Sequence, residues 1–129
     1  MFMKIFNCRF VAIVLSVAII ALLPAAGLAA AEAPKGPKLI ELMTTTCPAC
    51  AEMAKVLEQF TKKHGDKIAV QVVDVQKYPD VAGLYRVRYV PTLVFLDESG
   101  KVLDKRVGYM PLDALEKYWA ELGYDLKGK

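Results

Sequence analysis

Two apolar stretches, LIELMT (39–44) and the β-branched-rich KIAVQVVDV (67–75), bracket a long segment of helical periodicity (47–65). This alternation narrows the possible folds more than any other feature of the chain. Within CPACAEMAKVLEQFTKKHG, Met53, Leu57 and Phe60 recur at spacings of four and three, with Ala54 and Val56 beside them. Lys62, Lys63 and His64 crowd the last turn, and Gly65 falls just past the end. A strand, a crossover helix and a second strand of one sheet pair in parallel with a right-handed connection. Downstream, YPDVAGLYRV (78–87) holds a short helix, with Pro79 near its start and Asp80 in a capping position. PTLVFLD (91–97), ESG (98–100) and KVLDKRV (101–107) read as strand, turn and returning strand of a hairpin. MPLDALEKYWAELG (110–123) closes the chain as a helix, with Leu112, Leu115, Trp119 and Leu122 on one stripe. The order β-α-β-α-β-β-α predicts an α/β fold: a mixed four-stranded sheet with helices on both faces.

The 129 residues suit one small domain. VAIVLSVAIIALL (11–23) is apolar except for Ser16, is preceded by Lys4 and Arg9, and runs into PAAGLAAAEAPKG. A basic start, a short apolar run and a tail of small residues read as a secretory signal peptide over 1–31, cut after Ala31. An uncleaved anchor over 8–30 is the alternative, although the apolar run falls short of the ~20 residues of a comfortable span. Residues 32–38 read as a tether, 39–125 as the domain and 126–129 as a tail. The expected location is the bacterial periplasm. Removing 1–31 takes away Cys8, Lys4 and Arg9, leaving 15 basic residues against 14 acidic ones and a formal charge of +1. Without a basic stripe or an aromatic platform, nucleic-acid binding is not expected. A monomer is the default.

Cys47 and Cys50 then remain as the only cysteines, three apart, with Pro48 and Ala49 between them. A structural zinc site wants four ligands. The only histidine, His64, lies at the far end of the same helix, too distant to join Cys47. Attached haem needs His directly after the second cysteine, and residue 51 is Ala. A purely structural disulfide closing so short a loop constrains little of the unfolded chain. Redox exchange is the favoured reading, with no metal and no cofactor. Cys47 stands where a strand passes into a helix, near unpaired N–H groups and the positive end of the helix dipole. That setting favours a thiolate and lowers the pKa below the free value of about 8.5. Pro48 is tolerated in the first turn, where no N–H is needed. Cys47 is thus the expected nucleophile and the more buried Cys50 the resolving thiol.

CPAC at a strand-to-helix junction, YRVRYVPTLVFLD (85–97) and GKVLDKRVGY (100–109) together resemble the thioredoxin superfamily, from about Leu39 to Leu122. The resemblance implies a minimal thioredoxin-like fold acting on protein thiols and disulfides. It implies a cis bond at Val90–Pro91, with Val90, Pro91 and Thr92 offering backbone groups to an extended substrate. It also matches Glu41, six residues before Cys47, to the buried acid of reductant members. Burial would raise its pKa and suit it to shuttle a proton for Cys50. A solvent-facing Glu41 on an open sheet face is the alternative.

Several positions depart from ordinary thioredoxin. Thr46 stands where a tryptophan usually precedes the first cysteine, and Met43 replaces a nearby aromatic. Val72 stands where a lysine pairs with the acid, Lys55 replaces a kinking proline, and the first strand and helix are missing. Tyr89 and Tyr109 flank the substrate loop, as an aromatic rim or as packing; Trp119 belongs in the core. The favoured function is a periplasmic reductant of protein disulfides fed by a membrane thiol relay. A dithiol oxidase or isomerase, and a redox-gated binding module, are the alternatives.

Overall fold

In the computed structural model, which describes residues 36–127, the chain runs β1 (Lys38–Met43), α1 (Pro48–His64), β2 (Ala69–Asp74), α2 (Pro79–Leu84), β3 (Thr92–Leu96), β4 (Val102–Val107) and α3 (Leu112–Glu121). The expected signal peptide and most of the expected tether lie outside the described residues. The strands form one sheet in the order β2-β1-β3-β4. β1 pairs in parallel with β2 and antiparallel with β3, and β3 pairs antiparallel with β4. This is the mixed α/β sheet expected from the element order. Among the described residues no strand lies beyond β2, which is an edge. Among the described residues, no helix is long and apolar enough to cross a membrane.

The period of two in β1 and β3 divides the core into two layers. On one face, Leu39, Leu93 and Phe95 pack with Met53, Val56, Leu57 and Phe60 of α1 and with Leu115 and Trp119 of α3. Trp119 is fully buried, edge-on to Phe95 with ring centroids 5.1 Å apart, so it is core as expected. On the other face, Ile40, Leu42, Val73, Val94 and Leu96 gather Val81, Tyr85 and Val87 from α2 and the segment after it. Each fully buried Leu, Phe or Met side chain contributes about 1.5–3 kcal/mol by leaving water. All five residues of β3 are buried, because helices or loops cover both sides of this central strand.

The ends of the elements differ from the reading of the sequence in instructive ways. Lys38, assigned to the tether, opens β1, and Leu126, assigned to the tail, is buried in the α1/α3 layer. The short helix expected within 78–87 is Pro79–Leu84, with Pro79 at its start as read. Its N-cap is Tyr78 without a side-chain hydrogen bond, and Asp80 sits inside the first turn instead of capping it. A carboxylate there still complements the helix dipole.

The same helix ends in a double hydrogen bond: the Arg86 N–H donates to Gly83 O (3.1 Å) and the Val87 N–H to Ala82 O (2.9 Å). This termination places the residue after the C-cap in the left-handed region, where glycine is preferred. Here that residue is Arg86, at φ 52°. Arg86→Gly is therefore expected to raise stability by about 1 kcal/mol, read as a higher urea midpoint at unchanged m-value. A lower midpoint would mean that the arginine side chain itself holds the turn together.

Candidate active site

β1 delivers the chain into a short turn, Thr44–Thr46, where the Cys47 N–H donates to Thr44 O (3.3 Å), and α1 begins at Pro48. Cys47 is the N-cap residue of α1, with extended backbone (φ −94°, ψ 112°). Its Sγ accepts the Cys50 N–H at 3.1 Å, so the sulfur does the work that Ser or Asp does at an ordinary N-cap. Pro48 occupies the first helical position, and no acidic residue lies in the first turn to oppose a negative sulfur. Cys47 and Cys50 are joined as a disulfide with Cα atoms 5.2 Å apart. Cys47 is partly exposed; Cys50, one turn in, is fully buried. Partner thiols can reach one sulfur only.

Glu41 is fully buried, and neither carboxylate oxygen finds a hydrogen-bond partner among the described residues. Burial pushes its pKa up to about 7 from an ordinary 4.5. It alternates with Leu39 along β1 and stands opposite Leu93 on β3, so it faces the layer covered by α1. It lies in the half of β1 that runs into the Cys47 turn. Val72 is its neighbour across the parallel pair with β2, so the residue beside it there is apolar and offers no charge partner. The open-face alternative for Glu41 does not hold, because α1 covers that face.

The Val90–Pro91 bond is cis. Pro91 is fully buried and Val90 half-buried. The β1–β3 register sets Leu42 opposite Thr92. One step further along the antiparallel pair, Pro91 reaches the sheet end from which β1 enters the Cys47 turn. Thr92 is buried, its Oγ1 donates to Tyr89 O (2.6 Å), and Pro91 O accepts the Gly108 N–H (2.8 Å), so this loop is tied at both ends. Tyr89 and Tyr109 are 69% and 53% exposed, which favours the rim over the packing alternative.

His64, discounted as a partner for Cys47, is buried at the far end of α1 and its Nε2 lies 2.8 Å from Glu116 Oε1 of α3. Reading the sequence missed this pairing because the two residues are far apart along the chain. A histidine on the buried stripe four residues after Phe60 was the available signal. Also missed was the convergence of Arg86, Arg88 and Lys105 beside the Val90–Pro91 loop; the alternation of Arg86 and Arg88 just ahead of Pro91 could have marked it.

Comparison with known proteins agrees with this geometry. The thioredoxin family model matches residues 28–121. A thioredoxin of Bacillus subtilis is 34% identical over 87 residues, covering 67% of this chain and 83% of the relative. One from Alicyclobacillus acidocaldarius is 31% identical over 86 residues, covering 67% and 81%. Among solved structures, the germline-specific thioredoxin Deadhead of Drosophila melanogaster is similar with a TM-score of 0.63 at 27% identity, covering 69% of this chain and 83% of that one. Chloroplastic thioredoxin z shares the fold with a TM-score of 0.63 at 21% identity, covering 84% and 87%. Matched by the family model over most of its length and sharing a third of its aligned residues with a bacterial thioredoxin, the chain belongs to the thioredoxin family and is a thiol–disulfide oxidoreductase.

Proposed function

We propose that this protein works outside the inner membrane as a reductant of protein disulfides, exchanging electrons through Cys47 and Cys50. The observation that carries the reducing direction is Glu41: a fully buried carboxyl on the strand that leads to Cys47, without a hydrogen-bond partner among the described residues and with a pKa raised to about 7. Such a group takes a proton from a buried thiol at neutral pH and returns it later. The basic, apolar and small-residue pattern of residues 1–31 supports export, with the alternative anchor over 8–30 leading to the same compartment.

In this reading the Cys47 thiolate attacks one sulfur of a substrate disulfide. A mixed disulfide forms, and the first substrate sulfur leaves as a thiolate. Glu41 accepts the proton of Cys50. The Cys50 thiolate then attacks Cys47 Sγ, releasing the second substrate sulfur. The substrate gains two electrons and two protons, and the chain ends as the Cys47–Cys50 disulfide. A dithiol donor, in this reading a membrane thiol relay, must restore the reduced form. Val90, Pro91 and Thr92 hold the substrate segment by backbone pairing. The chain acts as a monomer.

Equilibrating the full chain with glutathione or dithiothreitol buffers tests the direction. A reduction potential close to about −270 mV, the thioredoxin end of the family range, is expected. A value near about −120 mV, the disulfide-forming end, would overturn the reductant reading in favour of an oxidase.

A further inference from the structure

Beside the Val90–Pro91 loop opens a cleft of about 180 Å³ whose lining includes Tyr85, Arg86, Arg88, Tyr89, Thr92 and Lys105. Among the described residues, no carboxylate lines it. Its floor is Thr92, the residue after Pro91. Its far wall is β4, where Val107 pairs with Thr92 and Lys105 with Val94, so that Lys105 rises on the same face of the sheet. The Lys105 ammonium donates to Tyr85 O (2.9 Å), which ties β4 to the segment after α2 and sets a positive charge at the rim.

Arg86 and Arg88 are exposed, and among the described residues neither makes an ion pair or a side-chain hydrogen bond. The acid of β4, Asp104, is directed elsewhere. Asp104 stands opposite Phe95, whose side chain is in the α1/α3 layer, and it bonds the Tyr118 hydroxyl and the Arg106 guanidinium. Three cations thus share one cleft with no counter-ion in its lining. Arg86 adds a second observation: it occupies a left-handed position where glycine would be relaxed. An arginine held there at a local conformational cost points to a use for its side chain, and residues in sparsely populated backbone regions concentrate at functional sites. Tyr89, 69% exposed, offers an apolar face next to these charges.

We infer that this cleft selects substrates by binding an acidic segment, Asp- or Glu-bearing and extended, that flanks the target disulfide. The inference deepens the reading of residues 90–92 as the substrate loop and rests on it. Charges at the rim of an interface act mainly on encounter rate and on the rejection of like-charged partners, and salt screens them. The preference belongs in kcat/KM and fades as salt rises.

The test uses the full chain and three disulfide peptides of equal length that differ only in flanking residues: acidic, neutral or basic. Exchange is followed in both directions, with the reduced chain on peptide disulfides and the oxidised chain on peptide dithiols. A failure of the reducing direction thus leaves the charge preference measurable and is told apart from a failure of this inference. The expected result is an acidic-over-neutral ratio of kcat/KM of about fivefold at roughly 50 mM salt, shrinking toward one at roughly 300 mM. In Arg86→Gly/Arg88→Gln, whose glycine suits the left-handed turn and so preserves the fold, the low-salt ratio falls toward one. In Arg86→Glu/Arg88→Glu the preference turns to the basic peptide. An equal rate on all three peptides, or a preference that survives both variants, overturns the inference. So does binding to phosphatidylglycerol vesicles that disappears in Arg86→Gly/Arg88→Gln while no peptide preference is seen, since the cleft would then serve an anionic membrane surface.

Discussion

Cys50→Ala is expected to arrest the protein on its substrate. Multiple-turnover reduction of a protein disulfide should fall by about 10³-fold or more, with an adduct linked through Cys47 building up. The reason is geometric. Cys50 lies one helical turn from Cys47, with its N–H already on the Cys47 sulfur at 3.1 Å. An attacking group held in place acts at an effective concentration above molar, against roughly millimolar for a thiol in solution. The substitution removes one buried sulfur and leaves the Cys50 N–H to Sγ contact in place, so the first attack survives while its resolution is lost. Gels or mass spectra without reductant would show a one-to-one adduct that dithiothreitol releases. Cys47→Ser should show neither turnover nor adduct. Near wild-type turnover in Cys50→Ala, or an adduct through Cys50 in Cys47→Ser, would reverse the assigned order of attack.

The buried acid should dominate how stability depends on pH. Glu41 has a pKa of about 7 in the folded protein against 4.5 ordinarily, so folding favours its protonated form. Below pH 4.5 the group is protonated in both states and costs nothing through ionisation. Between 4.5 and about 7 the unfolded chain loses the proton while the folded chain keeps it, so stability drains away as pH rises and levels off above about 7. A difference of this size corresponds to about 3 kcal/mol. Glu41→Leu, which puts an apolar side chain of similar volume in an apolar layer, should be more stable than wild type by about 3 kcal/mol at pH 8, with the gain shrinking toward pH 4. Denaturant midpoints across this range measure it, and a gain that does not change with pH would exclude ionisation of Glu41 as the cause. Glu41→Gln tests the chemistry. Resolution of the mixed disulfide should slow by about 10²-fold at neutral pH, with loss of the inflection near pH 7. An unchanged pH profile would relieve Glu41 of any part in proton transfer. Stability lost for function in this way is the usual bargain at an active site.

The elements were legible because each carries a strong local signal. β1 and β3 are mostly apolar, β2 is rich in valine, α1 repeats its apolar positions at helical spacing, and Gly100, at φ 84°, turns the hairpin. The boundaries of α2 were not. Its only glycine, Gly83, lies inside the helix, and the left-handed stop falls on Arg86, a residue that carries no stop signal. The two cysteines were readable as a redox pair, since their place between a strand and a helix already puts Cys47 against free N–H groups. The pairing of His64 with Glu116 and the basic cleft were hidden, because each joins residues whose neighbourhood depends on how helices and strands pack.

What the sequence by itself determined is what depends on near neighbours: the strand and helix periods, the thiol pair at a helix start, and the parallel crossover that chirality imposes. Only the tertiary structure decided the fate of Glu41. LIELM has apolar residues on both faces, so its pattern is silent on which face is covered and whether its acid meets water. That was settled when α1 packed over the face of β1 that carries Leu39 and Glu41 and removed solvent from a carboxylate that, among the described residues, no side chain compensates. Burial is a property of three dimensions, and with it comes the raised pKa on which the proposed proton transfer depends.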